Sequence, residues 1–253
     1  MPDLLIVTLA SAAAGFIDAI VGGGGLILVP TLFATYPGAT PATLFGSNKG
    51  AAIWGTAWAA RQFARRVQLR WESVLPAALT ALLGSLIGAW LVTQLPATPL
   101  RRALPLVLLV VLIYTLARKD LGRDHAPRLS AANERLAAMT IGATIGVYDG
   151  FFGPGTGSFF VFLFVRWLGY DFLHASASAK LLNTATNLSA LALFAATGHV
   201  WWEVAATMAV ANVFGSRIGT HLALRRGTGF VRGVFIVVVA ALILRTGRDA
   251  LML

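Results

Sequence analysis

The sequence predicts an all-α integral membrane protein built from two tandem repeats, and three observations carry that reading. The composition is 57% hydrophobic and only 12% charged, with mean hydropathy +0.76, whereas soluble domains carry about 25% charged residues. The chain also matches itself at a constant offset of 131 residues: Gly15 with Gly146, Asp18 with Asp149, Gly22 with Gly153, Gly24 with Gly155, Ser47 with Ser178, Lys49 with Lys180, Trp71 with Trp202, Glu72 with Glu203, Gly84 with Gly215, Ser85 with Ser216 and Gly88 with Gly219. Chance would align apolar residues in such a chain; it would not align Asp, Lys, Ser and Glu. Finally, glycines interrupt the first apolar segment of each half. An internal repeat with interrupted helices is the usual architecture of a secondary transporter.

Repeat one covers residues 1–117 and repeat two residues 134–253. The segment 118–133 between them is polar, and its Arg118, Lys119, Arg123 and Arg128 mark it as a cytoplasmic linker. The first element of each half is an apolar run, Leu4 to Val21 and Leu136 to Phe152. Met1 to Ala14 superficially resembles a signal peptide but lacks a basic start. Its equivalence to the region before Gly146 places it in the fold. The runs end at Gly22-Gly23-Gly24-Gly25 and Gly153-Pro154-Gly155-Thr156-Gly157. The apolar pieces that follow are about a dozen residues, or about 18 Å, too short for a ~30 Å hydrocarbon core.

Next come helices dotted with small and polar residues, Thr43 to Ala60 and Ala175 to Ala196, then helices from Ser73 to Leu95 and Val204 to Leu224. The latter carry Gly84/Gly88 and Gly215/Gly219, a spacing that suits close helix contact. Aliphatic helices, Ala103 to Leu116 and Val231 to Leu244, close the halves and are expected to face lipid or a second copy in a homodimer. Each half is thus a glycine-broken hairpin plus about three transmembrane helices. If the glycines reverse the chain, the repeats are inverted; if they merely interrupt one helix, the repeats are parallel. The loop with Arg61, Arg65, Arg66 and Arg70 has a counterpart, Gly198 to Glu203, with no Lys or Arg. That contrast favours inversion, while Arg245 and Arg248 point the other way.

Net charge is +10. Because the arginines cap apolar segments, the excess reads as topology and lipid contact rather than nucleic-acid binding. Without cysteine there is no thiol nucleophile or disulfide. The four histidines, His125, His174, His199 and His221, form no H-E-x-x-H pattern, so no metal site is expected. No nucleophile–base pair or nucleotide loop stands out, so neither an enzyme nor a bound cofactor is expected.

Lys49 and Lys180 lie inside apolar helices at equivalent places, where an ionisable group is costly and marks a pathway or a partner. One reading is an anion held at the repeat interface by both lysines. Others are an ion pair of each lysine with the aspartate of its own half, Asp18 or Asp149, or Lys49 reaching out to the membrane surface. Freed amides at a short helix's N-terminus also attract anions. The candidate binding residues are therefore Gly22, Gly23, Gly24, Gly25, Ser47, Asn48 and Lys49 in repeat one. In repeat two they are Gly153, Gly155, Thr156, Gly157, Ser178, Lys180, Asn183 and Asn187. Asn183 and Asn187 share the Lys180 face of their helix. Asp18 and Asp149 are candidates for proton coupling, capping or a structural ion pair.

The segment Gly15-Phe16-Ile17-Asp18 to Gly25 with Gly46-Ser47-Asn48-Lys49 resembles the first signature of the TauE/SafE family. The segment Gly146-Val147-Tyr148-Asp149 to Gly157 with Ala179-Lys180-Leu181-Leu182-Asn183 resembles the second. The resemblance implies a multi-pass permease of the bacterial inner membrane that exports sulfite, sulfoacetate or a related organosulfonate. The expected function is a secondary transporter moving a small sulfur-containing oxyanion by alternating access. An anion channel and a non-transporting assembly subunit are the alternatives.

Overall fold

The computed structural model describes residues 2–94 and 124–251, with the backbone alone for 238, 239 and 241–251. The closing helix expected at Ala103 to Leu116 and the linker up to Arg123 lie outside the described residues. All regular elements among the described residues are helical: α1 (Pro2–Val21), α2 (Gly25–Thr35), α3 (Pro41–Arg66), α4 (Trp71–Gln94), α5 (Ala131–Phe151), α6 (Thr156–Leu163), α7 (Phe172–Ala196) and α8 (Trp202–Leu251). A π-helical turn, Phe164–Leu168, extends α6. Among the described residues two helices, α1 and α4, are long and apolar enough by themselves to cross a membrane. Buried polar or charged residues are found on α3, α5, α6 and α7, among them Lys49, Asp149, Thr156 and Lys180.

Local chemistry sets the boundaries. Pro41 opens α3 just after Thr40, whose hydroxyl accepts the Thr43 N–H, and Arg65 and Arg66 fill the last turn, where cations complement the helix dipole. Asp171 caps α7 by accepting the His174 N–H at 2.8 Å. Ser130 caps α5, so the last residues of the expected linker are already helical. At the breaks, Gly22, Gly23, Gly153 and Gly155 all have positive φ, between 77° and 102°, a region open to glycine at little cost. Gly227 (φ 70°) breaks α8 in the same way and separates its final segment.

Each break folds the chain back. Gly24 lies against Ala14 and Asp18. Leu28 and Leu32 pack with Val7 and Ala14. Tyr36, just beyond α2, comes close enough to Asp3 for that carboxylate to add to the effect of burial in raising the phenol's pKa. In the second half, Tyr170 beyond the π-turn donates to Glu134 in the first turn of α5 at 2.8 Å.

The first helix of each half packs on a helix of the other half. α4 meets α5 and α1 meets α8, the two most extensive helix contacts among the described residues. Both rest on glycine. A Cβ at Gly84 or Gly88 would collide with the Ala143 or Val147 carbonyl, and one at Gly215 or Gly219 with the Ala12 or Phe16 carbonyl. Ser85 Oγ donates to the Thr186 carbonyl at 2.9 Å, and Ser216 Oγ to the Gly55 carbonyl at 2.6 Å. α3 and α7 also touch each other and fill the centre.

The two ends differ in charge. At one end the start of α1, Tyr36 and the loop before α8 meet, with Tyr36 edge-on to Trp201 at 5.3 Å. The loops 36–40 and 197–203 there hold no Lys or Arg. The other end holds Arg61, Arg65, Arg66 and Arg70 from α3 and its loop, and Arg135 from the start of α5. There Glu134, fully buried, pairs with Arg70 at 2.7 Å. α3 connects the ends; its 26 residues span about 39 Å, more than the hydrocarbon thickness.

Candidate functional site

The two glycine breaks meet at the centre of the molecule. Gly22 and Gly157 touch backbone to backbone, and Ser158 Oγ donates to the Gly22 carbonyl at 3.1 Å. Beside this contact lies a cavity of about 30 Å³, room for two or three water-sized groups. Residues of both halves line it: Asp18, Gly23, Gly24, Gly25, Asn48, Lys49 and Thr56 from the first, Asp149, Gly153, Gly155, Thr156, Gly157, Asn183, Asn187 and Asn212 from the second. α2 and α6 both open at this cavity, from Gly24 and Gly155, and neither has a side-chain cap. At these starts the Gly24 N–H meets Asp18 Oδ1, and the Leu26, Ile27 and Thr156 amides donate to the Gly23, Gly24 and Gly153 carbonyls, so what the starts offer the cavity is chiefly the positive ends of the helix dipoles.

The ion pairs cross between halves, which corrects the same-half pairing considered from sequence. Lys49 Nζ binds Asp149 Oδ2 at 2.6 Å, with the two side chains 4% and 2% exposed. Lys180 Nζ lies 3.4 Å from Asp18 Oδ2 and also donates to the Asp18 carbonyl. Lys49 therefore does not reach for the membrane surface. The crossing follows from packing: the breaks carry each aspartate to the molecular centre, where α3 and α7 present the lysine of the opposite half. Thr56 Oγ1 donates to Asp18 Oδ2 at 3.3 Å, and the Gly24 N–H to Asp18 Oδ1 at 3.4 Å. Asp18 thus ties break, α3 and α7 together.

Lys180, Ser47, Ser178 and Gly22 do not line the cavity. Lys180 is fully buried behind Asp18. Ser47 Oγ accepts the Trp201 N–H at 3.0 Å, and Ser178 Oγ donates to the His174 carbonyl at 2.9 Å. Asn48 lines the cavity with its Oδ1 buried and unpartnered, an acceptor that suits a donor such as water and not an anion. The candidate binding residues named from sequence did not include Thr56 or Asn212. Thr56 was legible only as the position equivalent to Asn187. Asn212 is legible in the sequence as a polar residue in an apolar helix.

A second polar cluster lies at the arginine-rich end. The His174 ring is held by Asp171 at 2.7 Å, and His125 stacks on it with ring centroids 4.0 Å apart. Burial lowers the His125 pKa, and neighbouring His174 lowers it further. Burial works to raise the Asp171 carboxyl, but hydrogen bonds from the His174 ring and amide outweigh it and hold the pKa below its ordinary value. Possible ligand atoms of His125, Asp171 and His174 lie within 4.8 Å of one another, a grouping that no sequence motif revealed. Both Asp171 oxygens are already engaged by His174, so a helix cap accounts for that pair.

The sequence profile of the Sulfite exporter TauE/SafE family matches residues 7–246. The chain is 34% identical over 246 residues to the "Probable membrane transporter protein ORF9" of Sinorhizobium sp, covering 97% of this chain and 93% of that protein. It is 38% identical over 231 residues to the "Probable membrane transporter protein YfcA" of Escherichia coli (strain K12), covering 90% and 84%. A "Probable membrane transporter protein" of Haemophilus influenzae is 34% identical over 237 residues, covering 93% and 91%. With its helical fold and central polar cavity, the chain belongs to the TauE/SafE family and is a multi-pass membrane transporter rather than an enzyme.

Proposed function

We propose that the protein is a secondary transporter that exports a small sulfur-containing oxyanion, sulfite, sulfoacetate or a related organosulfonate, through the cavity between the two breaks. The observation that carries this reading is the convergence of two helix N-termini and Lys49 on one polar cavity lined by both halves. The paired side chains Lys49/Asp149 and Lys180/Asp18 cancel in formal charge. The net attraction for an anion is then left to the dipoles, about half a positive charge each, and to hydrogen-bond donors. On this reading an entering anion takes the place of the Asp149 carboxylate at Lys49. Proton uptake by Asp149 in the same step would keep the buried charge balanced and couple proton and anion movement.

The repeats are read as inverted. α2, α3 and α4 begin at 25, 41 and 71, and α6, α7 and α8 at 156, 172 and 202, each 131 residues later. α1 starts at the end of the molecule near Tyr36, and α5 starts at the opposite end beside Arg70. This arrangement supports alternating access by rocking one half against the other around a fixed site. The arginine-rich end is then cytoplasmic.

The test is flux through purified protein in liposomes, comparing sulfite, thiosulfate, taurine, sulfoacetate and a simple carboxylate. Saturable flux of at least one sulfur oxyanion, with counterflow, is the expected result. No flux of any of them sinks the substrate class, and flux without saturation or counterflow would make the protein a channel.

A further inference from the structure

Between α3 and α8, toward the arginine-rich end, lies a second cavity of about 160 Å³. It is larger than the central one and shares no lining residue with it. Arg66 and Arg217 line it together with Gln62, Thr220 and His221. Among the described residues neither arginine pairs with a carboxylate. The Arg217 guanidinium lies 5.0 Å from the centre of the Trp58 ring, a contact that orients it without neutralising its charge. Thr220 is 2% exposed, and its hydroxyl has no partner. A buried, unpaired hydroxyl beside two unpaired guanidinium groups is a donor set without its acceptor.

The equivalent face at the other end has lost this chemistry. Stepping back 131 residues from Arg217, Thr220 and His221 gives Leu86, Ala89 and Trp90; stepping forward from Gln62 and Arg66 gives Leu193 and Thr197. The cations are therefore no by-product of helix packing that both halves share. Arg66 sits in the last turn of α3 and Arg217 ten residues before the Gly227 break, about 15 Å along the helix, and both are exposed. An arginine that far along a membrane helix marks a partner.

We propose that this pocket binds a phosphoryl oxyanion, carried on the headgroup of an anionic phospholipid or free in solution. Arg66 and Arg217 clamp the phosphoryl oxygens, and Thr220 and Gln62 donate to those that remain. The apolar Trp58 and Leu224 walls offer a surface along which an acyl chain lies. Basic pockets between transmembrane helices bind lipid headgroups in this way.

The experiment is native mass spectrometry of the purified full chain in a neutral detergent. It is titrated with phosphatidylglycerol or phosphatidylcholine, with and without inorganic phosphate as competitor. The wild type is expected to bind phosphatidylglycerol more than about tenfold tighter than phosphatidylcholine, and Arg66→Gln/Arg217→Gln to lose that preference. Thr220→Val, which keeps the side-chain shape, should weaken binding about twofold to fivefold. Arg225→Gln, outside the pocket, should change nothing, which separates the site from general surface charge. If phosphate displaces the lipid, the site accepts the free ion as well; if it cannot, the ligand is the lipid. Equal phosphatidylglycerol and phosphate binding by wild type, Thr220→Val and the double variant would overturn the proposal.

Discussion

Lys49 and Asp149 form a buried ion pair at the edge of the central cavity. Such pairs contribute little net stability, but removing one partner costs about 3–5 kcal/mol because the other is left buried and uncompensated. Lys49→Met should therefore lower both the thermal unfolding temperature in detergent and the transport rate. Lys49→Met/Asp149→Leu, which removes both charges, should recover most of the stability and none of the transport. Wild-type flux in the double variant would reduce the pair to a structural role. The sequence offset identified both residues but not their pairing. Each lysine is nearer in sequence to the aspartate of its own half, and only the meeting of the two breaks joins it to the other. For the same reason Lys180 and Lys49, identical by sequence position, differ in place: one lines the cavity and the other is sealed behind Asp18.

At the scale of elements, the small-residue spacing of Gly84/Gly88 and Gly215/Gly219 predicted close helix packing, and the contacts have that character. What the spacing lacked was the partner, because a glycine stripe states how near a neighbour comes and not which neighbour it is. Gly88→Leu would drive a side chain into the Val147 carbonyl, and Gly219→Leu into the Phe16 carbonyl. Each should lower folded yield and unfolding temperature, with a cost above the usual 1–3 kcal/mol of core overpacking because backbone has to move. The breaks behave differently. At Gly153 φ is 87°, and a Cβ would sit 3.2 Å from the Asp149 carbonyl and 3.4 Å from Lys49 Nζ. Gly153→Ala is expected to cost about 1–2 kcal/mol from the left-handed backbone, so much of the protein should still fold. Its transport rate, measured per folded molecule in liposomes, should drop because the methyl crowds the Lys49–Asp149 pair. The stacking of His125 on His174 was not legible at this scale, since it depends on a backbone bond from the Ala126 N–H to the Gly169 carbonyl at 2.9 Å.

For the whole molecule, the arginines and the two reversals bear on one question, the orientation of the halves. Arg61, Arg65, Arg66, Arg70 and Arg135 gather at one end, and among the described residues the loops 36–40 and 197–203 at the other end hold no Lys or Arg. A parallel pair of repeats would place equivalent loops on the same side of the membrane, whereas the inverted pair proposed above places them on opposite sides. Glu72 and Glu203 make a direct test. They are equivalent by the repeat, each lies in the first turn of its helix, and both are exposed. The chain has no native cysteine, so Glu72→Cys and Glu203→Cys each introduce a single reactive thiol without background. Glu72 sits at the arginine-rich end, where its carboxylate lies 4.0 Å from Arg135, a weak and exposed contact whose loss should be tolerated. Basic residues mark the cytoplasmic side. A membrane-impermeant maleimide should therefore label Glu203→Cys in intact cells and Glu72→Cys only after the membrane is opened. Labelling of both thiols from the same side would make the repeats parallel and remove the structural basis for rocking access around the central cavity.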